Sequence, residues 1–547
     1  MSIASAKALI VVLVFAAAVF LVFNPALAKF TARADLRRRE ALWVLLTAAA
    51  FLTPTFWWFL LIAAPAVIWG ARRDPNPVAM YLLLLQVVPS VPVNIPGAGI
   101  HRFFSLDIYR ILSLCVLAPY AWRLALSRAK PKLGWIDILV FAYGALQIFL
   151  YIRPDLPSMA DTADSPTAAL RRAFLFLVDG YLPFYAISRG CHNRRALTEA
   201  LAALCTSCVL LAPIAVFEAL RRWPLYNGIV AHWSAQPLVG QFLLRDGLLR
   251  ARGSAGDPLS LGCLLAIGWG SWLYLKNYVT ASSIRTTGTL ALCAGLLATY
   301  SRGPWMGALL ASVIFTVCAT KAPSAILKSA AATAAVVFGI LISPLGGTII
   351  NSLPFLGGTI GRGTLTYRQA LARDALPLIA SHPFFGDQFA YSKLAGLRQG
   401  QGIIDIVNTY LEVVLFYGLF GLALFVWPMM HVAYKVWRIS RLHLQKDPHF
   451  ALLGASIFAS IAGTALMLAD SSFQLNYARM YYVLLGGALA YTTSALQYLP
   501  SRAQAVTIHT QRPPVPAGQR QFRAPWERRS LARHEDVVSN GRDRSTR

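Results

Sequence analysis

Apolar runs of 15 to 30 residues recur from one end of this chain almost to the other, and that recurrence constrains the fold more than any other feature. They lie at 8–28, 41–70, 77–94, 107–125, 135–152, 172–188, 197–217, 258–279, 287–301, 304–320, 323–343, 409–428, 450–469 and 478–497. A stretch of about 20 apolar residues spans the hydrocarbon core of a bilayer as a helix. Inside that core every backbone polar group needs a partner, which repeated segments of this kind obtain by being helical. The longest run, 41–70, holds Thr53-Pro54-Thr55 at its middle. It is either one kinked, tilted helix or two short helices in a hairpin. Of the 547 residues 57% are hydrophobic and 13% charged, against about 25% charged in soluble domains. The expectation is an all-α polytopic membrane protein with about 12–14 transmembrane helices across residues 1–500. Disordered, collagen-like and disulfide-scaffold chains are excluded. Ala26-Leu27-Ala28 imitates a signal-peptidase site, but the run before it is long, and an uncleaved first span is expected.

The net charge is +27. In a soluble protein that excess would suggest nucleic acid, but here it gathers in short loops, so no nucleic-acid partner is expected. Arg123, Arg128, Lys130 and Lys132 share one loop; Arg189, Arg194 and Arg195 share another. Lys276 with Arg285, Lys321 with Lys328, and Lys435, Arg438, Arg441 and Lys446 mark three more. Neighbouring loops of this set are two spans apart, so they share a side, which the positive-inside rule makes cytoplasmic. The segment 501–547 follows on that side. With ten Arg, four acids and Pro513, Pro514, Pro516 and Pro525, it is expected to be a disordered basic tail drawn to lipid.

Two long segments on the opposite side break the pattern. Segment 218–257 carries Arg221, Arg222, Arg245, Arg250 and Arg252 without lysine; segment 344–408 carries Arg362, Arg368, Arg373 and Arg398 with Lys393 alone. Arginine's planar fork grips phosphate oxygens and keeps its charge in a partly dry site. Ligand binding by at least two of these arginines is expected, the rest pairing with Glu218, Asp246, Asp257, Asp374, Asp387 and Asp405. Within 344–408, Thr364 can cap a helix. Tyr367, Leu371, Ala375 and Leu378 line one face, with Gln369 and Arg373 opposite. Such a helix can lie at a membrane surface. Pro377 should kink its last turn, His382-Pro383 should stop it, and Gly386 should turn the chain.

Thr299-Tyr300-Ser301-Arg302-Gly303-Pro304 separates two apolar runs. An arginine at such a junction needs a polar cavity or an anion, and a helix starting there offers free N–H groups to one. Cys205 and Cys208 form a CxxC inside an apolar run with no histidine pair nearby, so they are small hydrophobes rather than zinc ligands. Asp137, Asp179 and Asp470 lie in or beside apolar runs and require a partner or a cavity.

The stretch TYSRGPWMGALLA resembles the Ser-Arg-Gly signature of the O-antigen ligase and O-antigen polymerase superfamily. Further pieces agree in order: RARGSAGDPLSLGCL from Arg250, RGTLTYRQA from Arg362, HPFFG from His382, and VNTYLEVVLFYGLFGL from Val407. The likeness covers about 245–430. It implies an integral glycosyltransferase of the type C kind, with a large extracytoplasmic loop over the site. The donor would be a glycan on undecaprenyl diphosphate, and the acceptor a glycan or lipid core, as in lipopolysaccharide or exopolysaccharide assembly. The place would be the periplasmic face of the bacterial inner membrane, among membrane lipids, with no cofactor and no metal. Arg302 and Arg250, with Arg252, Arg362, Arg368 and Ser301, would hold the diphosphate. A base would deprotonate the acceptor hydroxyl. The family's frequent histidine before Asn is Val407 here, which disfavours lipid-core ligation and favours a polymerase or another acceptor. Asp405 is the first substitute, Glu412 the second and His382 the third, with Asn408 orienting the acceptor or bracing the loop. Asp405 could instead only cap the helix start at 406–408. A transporter or flippase of lipid-linked glycans is the alternative, with the intramembrane acids on its path.

Overall fold

An Asn or Asp followed by proline opens three of the helices. Asn76 accepts from the Ala79 N–H, Asp257 from Ser260 and Asp447 from Phe450, with Pro77, Pro258 and Pro448 in the first turn. The side chain satisfies one free N–H and the proline lacks the other, so each start is fixed by two consecutive residues. The computed structural model describes residues 3–97, 100–127, 134–152, 166–233, 244–245, 248–320, 362–387, 389–398, 404–472 and 475–496. Residues 1–495 make one compact unit. The apolar run at 323–343 and the basic tail lie outside the described residues.

The first half of the chain contributes α1 (Ile3–Leu27), α2 (Arg33–Leu52), α3 (Phe56–Arg73), α4 (Pro77–Leu84), α5 (Ile108–Leu112), α6 (Ala118–Leu126), α7 (Trp135–Ile152), α8 (Pro166–Phe176), α9 (Leu182–Gly190), α10 (Arg194–Arg221) and α11 (Asn227–Trp233). One-turn π-helical segments join α5 to α6 and α8 to α9. The second half adds α12 (Pro258–Leu275), α13 (Ser282–Ala298), α14 (Arg302–Ala319), α15 (Arg362–Ser381), α16 (Ala390–Lys393), α17 (Thr409–His443), α18 (Pro448–Ala469) and α19 (Leu475–Leu496). This is an all-α polytopic membrane protein. Among the described residues six helices are long and apolar enough to cross a membrane on their own: α1, α10, α12, α14, α17 and α18. The middle of the bundle is built by α10, α12 and α18, which are buried along most of their length. Gly303 and Gly307 of α14 and Gly463 of α18 let those two helices approach closely, as small residues do where no hydrophobic effect drives helices together.

Of the two readings open for the 41–70 run the structure has the second, while several other boundaries differ from the sequence expectation. The 41–70 run is two helices, α2 and α3, broken at Thr53-Pro54-Thr55 and packed on each other. The run at 77–94 is not a full span. After α4 it unwinds around Gln86, and the prolines at 89 and 92, which offer no N–H, carry it into a hairpin of β1 (Val93–Gly97) and β2 (Ile100–Leu106). A second small hairpin pairs β3 (Leu244–Arg245) with β4 (Leu248–Leu249). The helix that Thr364 was expected to cap begins two residues earlier, at Arg362. The apolar face of α15 is covered by protein rather than by lipid headgroups. Leu371 and Ala375 form a small separate core with Ala390, Leu394, Ile404, Ile406, Leu415 and Phe416. Helix α17 runs well past the expected end, to His443, but breaks at Gly418 (φ +65°, ψ −168°).

The basic loops meet at one end of the bundle. Arg194 pairs with Asp447 at 2.8 Å and Arg189 with Asp137 at 2.6 Å. Arg441 donates to the Val317 and Thr320 carbonyls, and Ser494 donates to the His192 carbonyl.

Candidate active site

At the other end of the bundle, α13 gives way to α14 through Thr299-Tyr300-Ser301. Tyr300 has φ +46°, a left-handed turn that a residue with a side chain adopts only where its surroundings impose it. One constraint is visible. The strand-like segment after β4 backs onto the junction, with the Ala251 N–H on the Ala298 carbonyl at 3.0 Å. Arg250 reaches across with Nε on the Thr299 carbonyl at 3.2 Å and Nη2 on Ser301 Oγ at 2.7 Å. Ser301 is the N-cap of α14, and Arg302, half-buried, is that helix's first residue. Arg250, Ser301 and Arg302 are therefore brought together, as the sequence suggested.

Arg252 sits behind them, 3% exposed. Its backbone N–H and that of Gly253 donate to the Glu218 carboxylate. Burial pulls the Arg252 guanidinium below its ordinary value, while Glu218 and Asp257 oppose that. Glu218 thus organises the loop behind Arg250. The Asp257 carboxyl is raised by burial, against the hydrogen bonds from Ser260 and the nearby Arg250 charge.

The large loop arrives from the far side. Arg368 on α15 forms an ion pair with Asp470, the residue that ends α18, and its Nη2 donates to the Asp470 carbonyl at 3.1 Å. Asp470 in turn lies against Gly303 in the first turn of α14. Tyr367, one residue before Arg368, holds Asp405: its hydroxyl donates to the Asp405 carbonyl at 3.0 Å and accepts from the Asp405 N–H at 3.1 Å. Burial pushes the Asp405 carboxyl above the ordinary aspartate range, opposed by Ser472 and the Arg368 charge. So Arg368 and Asp405 join the α14 start through Asp470.

Asn408, not Asp405, caps α17: its side chain accepts from the Leu411 N–H at 3.1 Å. Asn408 braces the loop, and Asp405 has no capping duty. Glu412 lies one turn into α17, half-buried. His382 is exposed at the far end of α15, bonded to Ser381. Fourteen residues separate it from Arg368, roughly 20 Å along a helix axis, so the structure does not bring it to this cluster. The backbone of Arg362 starts α15, and its side chain lies outside the described residues. Asp470, Ser472, Tyr367 and Gly303 were missing from the sequence-derived site. Three of them left a signal: Asp470 as an acid directly after an apolar run, Gly303 in the Ser-Arg-Gly stretch and Tyr367 on the apolar face of its helix.

The intramembrane acids are paired. Asp179 meets Arg110 and Arg479, each at 2.8 Å, and Arg479 also meets Asp107 at 3.1 Å. Asp137 is held by Arg189.

Residues 287–426 match the family model described as O-antigen ligase. This segment is similar to that family. The match takes in Ser301, Arg302, Arg368, Asp405, Asn408 and Glu412, and it leaves Arg250, Arg252 and Asp470 outside. A comparison with curated proteins gave no match.

Proposed function

We propose that this chain is a membrane glycosyltransferase of the O-antigen ligase and polymerase type. It transfers a glycan from undecaprenyl diphosphate to an acceptor hydroxyl at the extracytoplasmic face of a bacterial inner membrane. The observation that carries this reading is the meeting of Arg250, Ser301 and the Arg302 helix start with Arg368 and Asp405 at the end of the bundle away from the basic loops. The donor diphosphate sits at the start of α14, where Arg302 and Arg250 supply positive charge, Arg250 while bracing Thr299 and Ser301, and where the N–H groups of a helix start meet an anion. The acceptor O–H gives its proton to Asp405 while its oxygen attacks the anomeric carbon. The bond from that carbon to the diphosphate oxygen breaks, and the arginines stabilise the charge that grows on the leaving diphosphate. Arginine supplies the cationic partner throughout this scheme.

The acids that a transporter of lipid-linked glycans would place on its path, Asp137 and Asp179, are instead paired with Arg189, Arg110 and Arg479, which supports the transferase reading over that alternative.

The test is transfer by purified protein in nanodiscs with a polyprenyl-diphosphate-linked oligosaccharide. Arg302→Ala should lower the rate about 10²-fold, as loss of one preorganised charged donor does. Arg302→Lys should fall between, keeping the charge without the fork. Near-normal transfer by folded Arg302→Ala protein would overturn this site. The glycan profile of a deletion strain separates the two activities: single repeat units on lipid or core mean a polymerase, unattached long chains a ligase.

A further inference from the structure

We infer that the Asp470 carboxylate is a built-in occupant of the anion site, held by Arg368 and displaced when the donor's diphosphate arrives. This rests on the reading of the site given above.

Asp470 follows the last residue of α18, and its N–H bonds to the Met467 carbonyl. That is the wrong end of a helix for an acid, since the carbonyl end carries the negative pole. Its position is explained by what it faces. One carboxylate oxygen lies against Gly303, and a methyl group on Gly303 would collide with it. Glycine at 303 therefore lets a carboxylate reach the first turn of α14, the favourable pole for an anion. The other oxygen is held by Arg368. A carboxylate between an arginine fork and a helix start occupies the place that a phosphate oxygen would take.

The arrangement is also exchangeable. The side chains of Arg368 and Asp470 are 37% and 30% exposed, so solvent weakens the pair and a stronger anion can compete for the arginine. Arg368 Nε is buried and has no hydrogen-bond partner among the described residues, which leaves the guanidinium donor capacity that one carboxylate does not use. Arg368 also neighbours Asp405 and counters the rise of its carboxyl. When Arg368 turns from Asp470 to a diphosphate, the same step changes the field at Asp405. After transfer, Asp470 returns to Arg368 and helps to expel the lipid diphosphate.

The test uses full-length protein in nanodiscs and inorganic pyrophosphate titrated by calorimetry. Asp470→Asn keeps the shape of the residue and removes the competing charge. It should bind pyrophosphate roughly three- to tenfold more tightly than wild type, the scale of a half-exposed ion pair plus one repulsion. Asp470→Ser should do the same and serves if the first variant folds poorly. In steady-state transfer Asp470→Asn should lower KM and kcat together, because product leaves more slowly. In the Arg368→Ala background the Asp470→Asn change should have a much smaller effect. If wild type binds pyrophosphate and Arg302→Ala abolishes binding, yet Asp470→Asn binds no more tightly, this inference fails and the proposed site stands. If neither wild type nor Asp470→Asn binds pyrophosphate, both fall.

Discussion

Asp405, the proposed base, is partly buried, neighbours an arginine, and has its backbone clamped at both N–H and carbonyl by the Tyr367 hydroxyl. A base works only when deprotonated. A carboxyl raised by burial therefore gives transfer that climbs with pH through a limb above the ordinary aspartate value of about 4. Ser472 holds that carboxyl down, so Ser472→Ala should move the limb of the kcat–pH profile further up, with activity retained at alkaline pH. Asp405→Asn should be folded and inactive. Since Asn408 caps α17, loss of activity in that variant cannot be assigned to a lost cap. Wild-type activity in Asp405→Asn would remove the base. The arginine-rich half of this site was readable from sequence, because Ser301 and Arg302 are adjacent and sit between two apolar runs. The Arg368–Asp470 pair was not. Its partners are 102 residues apart, and no local periodicity joins an α15 arginine to an acid that ends α18.

At the scale of elements, the break in α17 decides how the large loop is held. The Leu415 carbonyl, which an unbroken helix would offer to Leu419, accepts instead from the Asp387 N–H at 2.7 Å. The Leu419 and Phe420 N–H groups turn to the Pro383 and Phe384 carbonyls, at 2.8 and 3.3 Å. The turn His382–Gly386 thus inserts into the helix and satisfies the groups that its break frees, as an apolar setting requires. Gly418 has φ and ψ that only glycine adopts readily, and Gly386 has φ +70°. A Cβ on either would strike the backbone of the other segment. Gly418→Ala should therefore destabilise the docked loop by about 1–3 kcal/mol, read as faster protease cleavage between 382 and 408 with the rest of the bundle intact. Unchanged cleavage would show that the turn is held elsewhere. The sequence foretold the turn at Gly386 and the apolar face of α15. It could not foretell that this face packs on α16 and α17, because amphipathicity states how much apolar surface must be covered and not what covers it. Nor did the apolar run at 77–94 reveal its unwinding, since hydropathy averages over the prolines at 89 and 92 that cause it.

At the scale of the whole molecule, arginine serves at both ends of the bundle, for different reasons. One end holds the short basic loops, tied together by Arg194 to Asp447, Arg189 to Asp137 and Arg441 to the end of α14. The other holds Arg250, Ser301, Arg302 and Arg368 around Asp470 and Asp405. Topogenic charge needs only to stay on the cytoplasmic side, and lysine serves as well as arginine there. Charge that meets a diphosphate needs a fork. The segments 218–257 and 344–408 accordingly carry nine arginines against one lysine, Lys393. In the proposed function the site faces outside the cytoplasm, and single cysteines in a background without the native ones test that orientation. Ser392 and Gln445 are exposed at opposite ends, whereas Ser440 is fully buried and would stay unlabelled on either side. With an impermeant thiol reagent on intact cells made permeable only at the outer membrane, Ser392→Cys should label and Gln445→Cys should label only after lysis. The reverse pattern would put the arginine cluster in the cytoplasm. The lipid-linked donor would then have to be used before it crosses the membrane, and the proposed extracytoplasmic transfer would fail.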